Sequence, residues 1–74
     1  MCEKRMICFT DSKGKNLFSI PDGGVLRLFY EDGESSYTLC RRLDDTHAEI
    51  SGIPYSIREF ARRMEQNHIS YIPA

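Results

Sequence analysis

The chain has 74 residues, of which 41% are hydrophobic and 28% charged, and its formal net charge is −1. A chain this short forms one domain with a thin core, because it buries only about 60% of its unfolded surface. The composition excludes a disordered chain, and the near-neutral charge without long runs of one sign is not that of a dedicated nucleic-acid or anionic-membrane binder.

Residues 5–10 alternate as a strand, with Met6, Cys8 and Thr10 on one face and Ile7 and Phe9 on the other. Asp11-Ser12-Lys13-Gly14-Lys15-Asn16 is a polar turn, residues 17–20 form a short second strand, and Pro21-Asp22-Gly23-Gly24 ends it, so the two strands are expected to pair as a hairpin. Residues 25–30 carry the strongest strand pattern, with Leu26, Leu28 and Tyr30 opposite Val25, Arg27 and Phe29. The Asp-Gly centre of Glu31-Asp32-Gly33-Glu34 predicts a tight turn into a partner strand over 35–43. Asp44-Asp45-Thr46 is a further turn, and residues 47–50 alternate as a short strand. Ser51-Gly52-Ile53-Pro54 then reads as a loop, closed by a proline that stops the preceding strand.

The segment from Tyr55 to Asn67 has full helix grammar. Ser56 and Glu59 have capping-box spacing, Tyr55 and Phe60 have hydrophobic-staple spacing, and Ile57, Phe60, Ala61 and Met64 share one apolar face. Asn67 is the expected left-handed stop. Residues 68–72 alternate as a last strand before Pro73. The whole is an α+β domain: a mainly antiparallel sheet of four to six short strands, with one helix over about Ser56–Gln66 packed on one face. On the other sheet face Val25, Phe29, Ile7 and Phe9 are too apolar to face water alone, so a curled sheet or a second subunit is expected to cover them.

The chemistry-bearing residues form no familiar site. Cys2, Cys8, Cys40, His47 and His68 lack the close pairs of a zinc knuckle, so no metal is expected, and three irregularly spaced cysteines do not make a disulfide framework. Asp44, Asp45 and His47 put two carboxylates near an imidazole, but adjacent aspartates in a turn usually bond their own backbone, and no nucleophile or oxyanion donor accompanies them. Pro21-Asp22-Gly23-Gly24 is no phosphate loop, having neither the glycine spacing nor a following helix. Arg41 and Arg42, with Arg58, Arg62 and Arg63, form two basic clusters that would contact phosphate if one surface carried both, with Phe29, Tyr30 and Tyr37 as stacking platforms. No signal peptide and no apolar run of membrane-spanning length is visible, which reads as a reduced cytoplasmic protein.

The words Pro21-Asp22-Gly23-Gly24, residues 40–47 (Cys-Arg-Arg-Leu-Asp-Asp-Thr-His), residues 59–65 (Glu-Phe-Ala-Arg-Arg-Met-Glu) and Tyr71-Ile72-Pro73 resemble small uncharacterised proteins of gut Firmicutes associated with conjugative and other mobile elements. The resemblance implies a bacterial cytoplasmic setting and an accessory role beside mobile-element machinery, and it brings no activity and no functional residues. The expectation is therefore a non-enzymatic interaction module without a cofactor, pairing with itself or with another protein through Val25, Phe29 and the arginines. A nucleic-acid-binding accessory protein using Arg41, Arg42, Arg58, Arg62 and Arg63 is the alternative.

Overall fold

A computed structural model describes residues 5–74. Its elements run β1 (Met6–Thr10), β2 (Asn16–Pro21), β3 (Val25–Phe29), β4 (Ser35–Arg42), β5 (His47–Ile50), β6 (Ile53–Ser56), α1 (Ile57–Gln66) and β7 (Ser70–Pro73). β1 and β2 form a separate antiparallel hairpin, and the other strands form a five-stranded antiparallel sheet in the order β6-β5-β4-β3-β7. No helix among the described residues is long and apolar enough to cross a membrane.

β6 replaces the loop expected over Ser51-Gly52-Ile53-Pro54. Ser51 (φ 53°) and Gly52 (φ 80°) both take left-handed backbone, as a two-residue hairpin turn requires, and Ile50 pairs with Ile53 across them. Pro54 does not end a strand but lies within β6, opposite Glu49. β6 is a sheet edge, where a residue lacking an N–H removes no ladder bond. Pro21 and Pro73 likewise fall in strands with a free edge, β2 and β7.

The core lies between the sheet, the hairpin and the helix. Ile7, Phe9, Ile20, Leu26, Leu28, Cys40, Ala48, Ile50, Ile57 and Phe60 are buried together. Ile7 and Phe9 are thus core residues and not part of an uncovered face. The hairpin is a separate layer over the sheet, so its apolar side turns inward. Rings tie the layers together: Phe9 contacts Phe18, Phe60 and Tyr71 at centroid distances of 5.2, 6.0 and 6.0 Å, and Phe60 reaches Tyr71 at 5.3 Å. Phe9 and Phe18 are stacked and the other pairs are edge-on, both arrangements that ring quadrupoles favour.

The helix starts as its sequence dictates. The Ser56 hydroxyl accepts from the Glu59 N–H at 3.1 Å, and the staple rings of Tyr55 and Phe60 lie 5.8 Å apart. The Glu59 carboxylate sits beside Arg62 (3.9 Å) and Arg63 (3.6 Å) on the solvent side. At the other end the left-handed residue is His68 (φ 55°) and not Asn67 (φ −98°). Asn67 closes the helix by donating its side-chain amide to the Arg63 carbonyl at 2.8 Å.

Candidate functional site

Two surfaces gather the residues that could act on something outside the chain. The first is the outer face of the five-stranded sheet. Strand alternation and the β3–β4 register place Phe29 opposite Ser35, Arg27 opposite Tyr37 and Val25 opposite Leu39, and β7 adds Ile72 beside Arg27. Tyr37 is 66% exposed, Leu39 55%, Ile72 46% and Val25 36%, so this patch is apolar and uncovered within the chain. Arg27 lies across it, its guanidinium 4.7 Å from the Phe29 ring centre and 5.5 Å from that of Tyr37. The Arg27 Nε is buried without a hydrogen-bond partner.

The ends of this face differ in charge. Beyond Phe29 lies the Glu31-Asp32-Gly33-Glu34 turn, shaped by the Asp32 carboxylate accepting from the Glu34 N–H at 2.9 Å. Beyond Leu39 lies Arg41, exposed and on the same side of β4. Neither Arg41 nor the acids of the turn form an ion pair among the described residues.

The second surface is a cleft of about 450 Å³ where β1, the β4–β5 turn and the start of α1 meet. Thr10, Asp45, Thr46, His47, Ser56 and Arg58 supply its polar groups. Asp44 acts first as a turn former, accepting from the Thr46 N–H at 2.8 Å, and also lies 3.0 Å from the His47 Nδ1. The backbone bond, then the imidazole, hold its carboxyl down at about 2. Asp45 turns away to Arg42. The three residues are therefore brought together in part: Asp44 orients His47, and Asp45 is tied to a different partner.

The arginines do not converge. Arg41 lies on the outer face, and Arg42 pairs with Asp45 while its N–H is held by Asp22 at 2.7 Å. Arg58 reaches the cleft and the Ser12 carbonyl (3.3 Å), and Arg62 and Arg63 stand over Glu59, with Arg63 also 5.7 Å from the Tyr55 ring centre. Tyr30 does not join Phe29 and Tyr37 as a platform, since it packs against the core with its hydroxyl 2.8 Å from that of Ser36.

Among the metal candidates, Cys40 is a free buried thiol, pushed up to about 11 by desolvation, and His47 and His68 are exposed. Cys8 is disulfide-bonded, which corrects the expectation of a fully reduced chain, and the candidate Cys2 lies outside the described residues. An irregular three-cysteine count argues against a framework of bridges but not against a single one. The described residues contain no group of three or more His, Cys, Asp or Glu side chains placed to hold a metal ion.

Compared with protein-family models, curated proteins and solved structures, the chain matches none.

Proposed function

We propose that this protein is a non-enzymatic interaction module that pairs with a second copy of itself through the outer face of its five-stranded sheet. The observation that carries the reading is the contiguous exposure of Val25, Tyr37, Leu39 and Ile72 around the Arg27 guanidinium. Interfaces are enriched in such aromatic, aliphatic and arginine mixtures, and a small domain with a thin core gains stability by covering a patch of this kind.

The charge distribution supports a second copy as the occupant. Two sheets packed face to face are related by an axis lying between them. An axis along the strands would bring the two acidic turns together. An axis across the strands, between the Tyr37 and Leu39 levels, sets each acidic turn beside the other copy's Arg41 and each Tyr37 ring against Leu39. Only the second arrangement is self-complementary, and neither charged group forms an ion pair among the described residues. A cytoplasmic setting and an accessory role in mobile-element biology belong to the same proposal. There the pair would act as a structural adaptor.

Light scattering on a sizing column tests it, with absorbance followed at two wavelengths so that bound nucleic acid is seen. The expected result is a dimer free of nucleic acid that Leu39→Glu converts to a folded monomer, since the residue is exposed in the single chain. A wild-type monomer at every concentration overturns it. A peak carrying nucleic acid, lost with the arginines, would favour the alternative of a nucleic-acid accessory protein.

A further inference from the structure

We infer that the cleft between the hairpin, the β4–β5 turn and α1 binds the phosphate group of a small phosphomonoester. Three side chains point to this ligand. Arg58 spends a single guanidinium donor, Nη2 to the Ser12 carbonyl at 3.3 Å, and forms no ion pair among the described residues. Arg58 lines the cleft, and a guanidinium fork matches phosphate oxygens. His47 is held at Nδ1 by Asp44 (3.0 Å) and the Thr46 hydroxyl (2.8 Å), which fixes the ring and leaves Nε2 without a partner among the described residues. The third group is the Thr10 hydroxyl, buried in the cleft wall without any hydrogen-bond partner. A buried polar atom left unpaired is costly, and an arriving acceptor relieves that cost.

The start of the helix is not what recognises the anion. The Ile57 N–H donates to the Thr46 carbonyl at 2.8 Å and the Glu59 N–H to the Ser56 hydroxyl at 3.1 Å, so those first-turn amides are taken. Recognition falls to Arg58, His47 and Thr10. The acidic residue lining the cleft, Asp45, is paired with Arg42, and the Asp44 carboxylate is engaged by the Thr46 N–H and the His47 ring. Gly14 takes left-handed backbone (φ 88°) in the β1–β2 turn, which lies beside the Arg58 guanidinium. A cleft of about 450 Å³ is larger than a bare phosphate needs, which favours a phosphate carried on a small organic body.

The test is an amide-resolved NMR titration of the whole chain at constant ionic strength with ribose 5-phosphate, inorganic phosphate and ribose as probes. The expected result is saturable shifts at Thr10, Thr46–His47 and Ser56–Arg58, tighter for ribose 5-phosphate than for phosphate and absent for ribose. Arg58→Ala and His47→Gln should each weaken binding by about tenfold or more, the worth of one charge-assisted hydrogen bond. Arg62→Ala, which removes the same charge from the same helix away from the cleft, should leave it unchanged. Shifts that do not saturate, or that respond equally to Arg62→Ala and Arg58→Ala, overturn the inference.

Discussion

Phe60 is the residue on which the three layers meet, and its truncation is the sharpest test of the packing. The side chain is 2% exposed and contacts the rings of Phe9 from the hairpin, Tyr55 from β6 and Tyr71 from β7. Phe60→Ala removes a buried ring at a cost of about 3–5 kcal/mol. The loss belongs in the upper half of that range, because three ring pairs go with it and each adds roughly 0.5–1.5 kcal/mol beyond area burial. At about 0.05–0.15 kcal/mol per residue, a chain of 74 residues holds about 4–11 kcal/mol in all. The variant therefore loses between a third and all of its stability, whereas Phe60→Leu, which loses the ring pairs but keeps most of the volume, should lose less than Phe60→Ala. Urea unfolding followed by circular dichroism measures both, at one fixed protein concentration because self-association adds stability by mass action. A loss below about 1 kcal/mol for Phe60→Ala would refute the shared core and imply that the helix is only loosely attached.

Other perturbations follow from the same contacts. Ser56→Ala removes the acceptor for the Glu59 N–H and should cost about 1 kcal/mol in the same unfolding assay, while Ser56→Asp should retain most of it. The Asp44 carboxyl is depressed from 3.8 to about 2, so the contribution of its turn is fully present above about 3.8 and is lost as pH falls through about 2. A carboxyl-resolved NMR titration should place its midpoint well below the usual carboxylate range, and Thr46→Pro, which deletes the donated N–H, should move that midpoint up. Cys40 should resist thiol reagents at pH 8 in the folded chain and react at once in denaturant, because burial raises the thiol from 9.0 to about 11.

How much of this was legible in the sequence depended on the range of the interactions involved. The start of the helix was legible because its signals, Ser56 to Glu59 and Tyr55 to Phe60, lie within five residues, whereas its left-handed stop fell at His68 and not at Asn67. The β3–β4 hairpin was legible for the same reason, through Asp32-Gly33. β6 was hidden by Pro54, which argues against a strand unless that strand is known to be an edge, although Ser51-Gly52 between two isoleucines was the signal for it. Alternation divided β1 into two faces but could not say which faced inward, since that depends on the hairpin standing apart from the sheet. Val25 and Phe29 were recognisable as surface candidates from their strand alone. Tyr37, Leu39 and Ile72 joined them only through the register of β4 and β7 against β3. Thr10, Thr46 and Arg58 come from three separate regions of the chain, and nothing local relates them.

The central claim is that the outer sheet face meets the same face of a second copy, with the strands reversed. Isotope-filtered NMR on a mixture of labelled and unlabelled chains observes that contact directly. Intermolecular contacts are expected between the Tyr37 ring of one copy and the Leu39 methyls of the other, with the Glu31–Glu34 turn near Arg41 across the interface. Intermolecular contacts confined to the helix or to the β6 edge, or none at all, would contradict it.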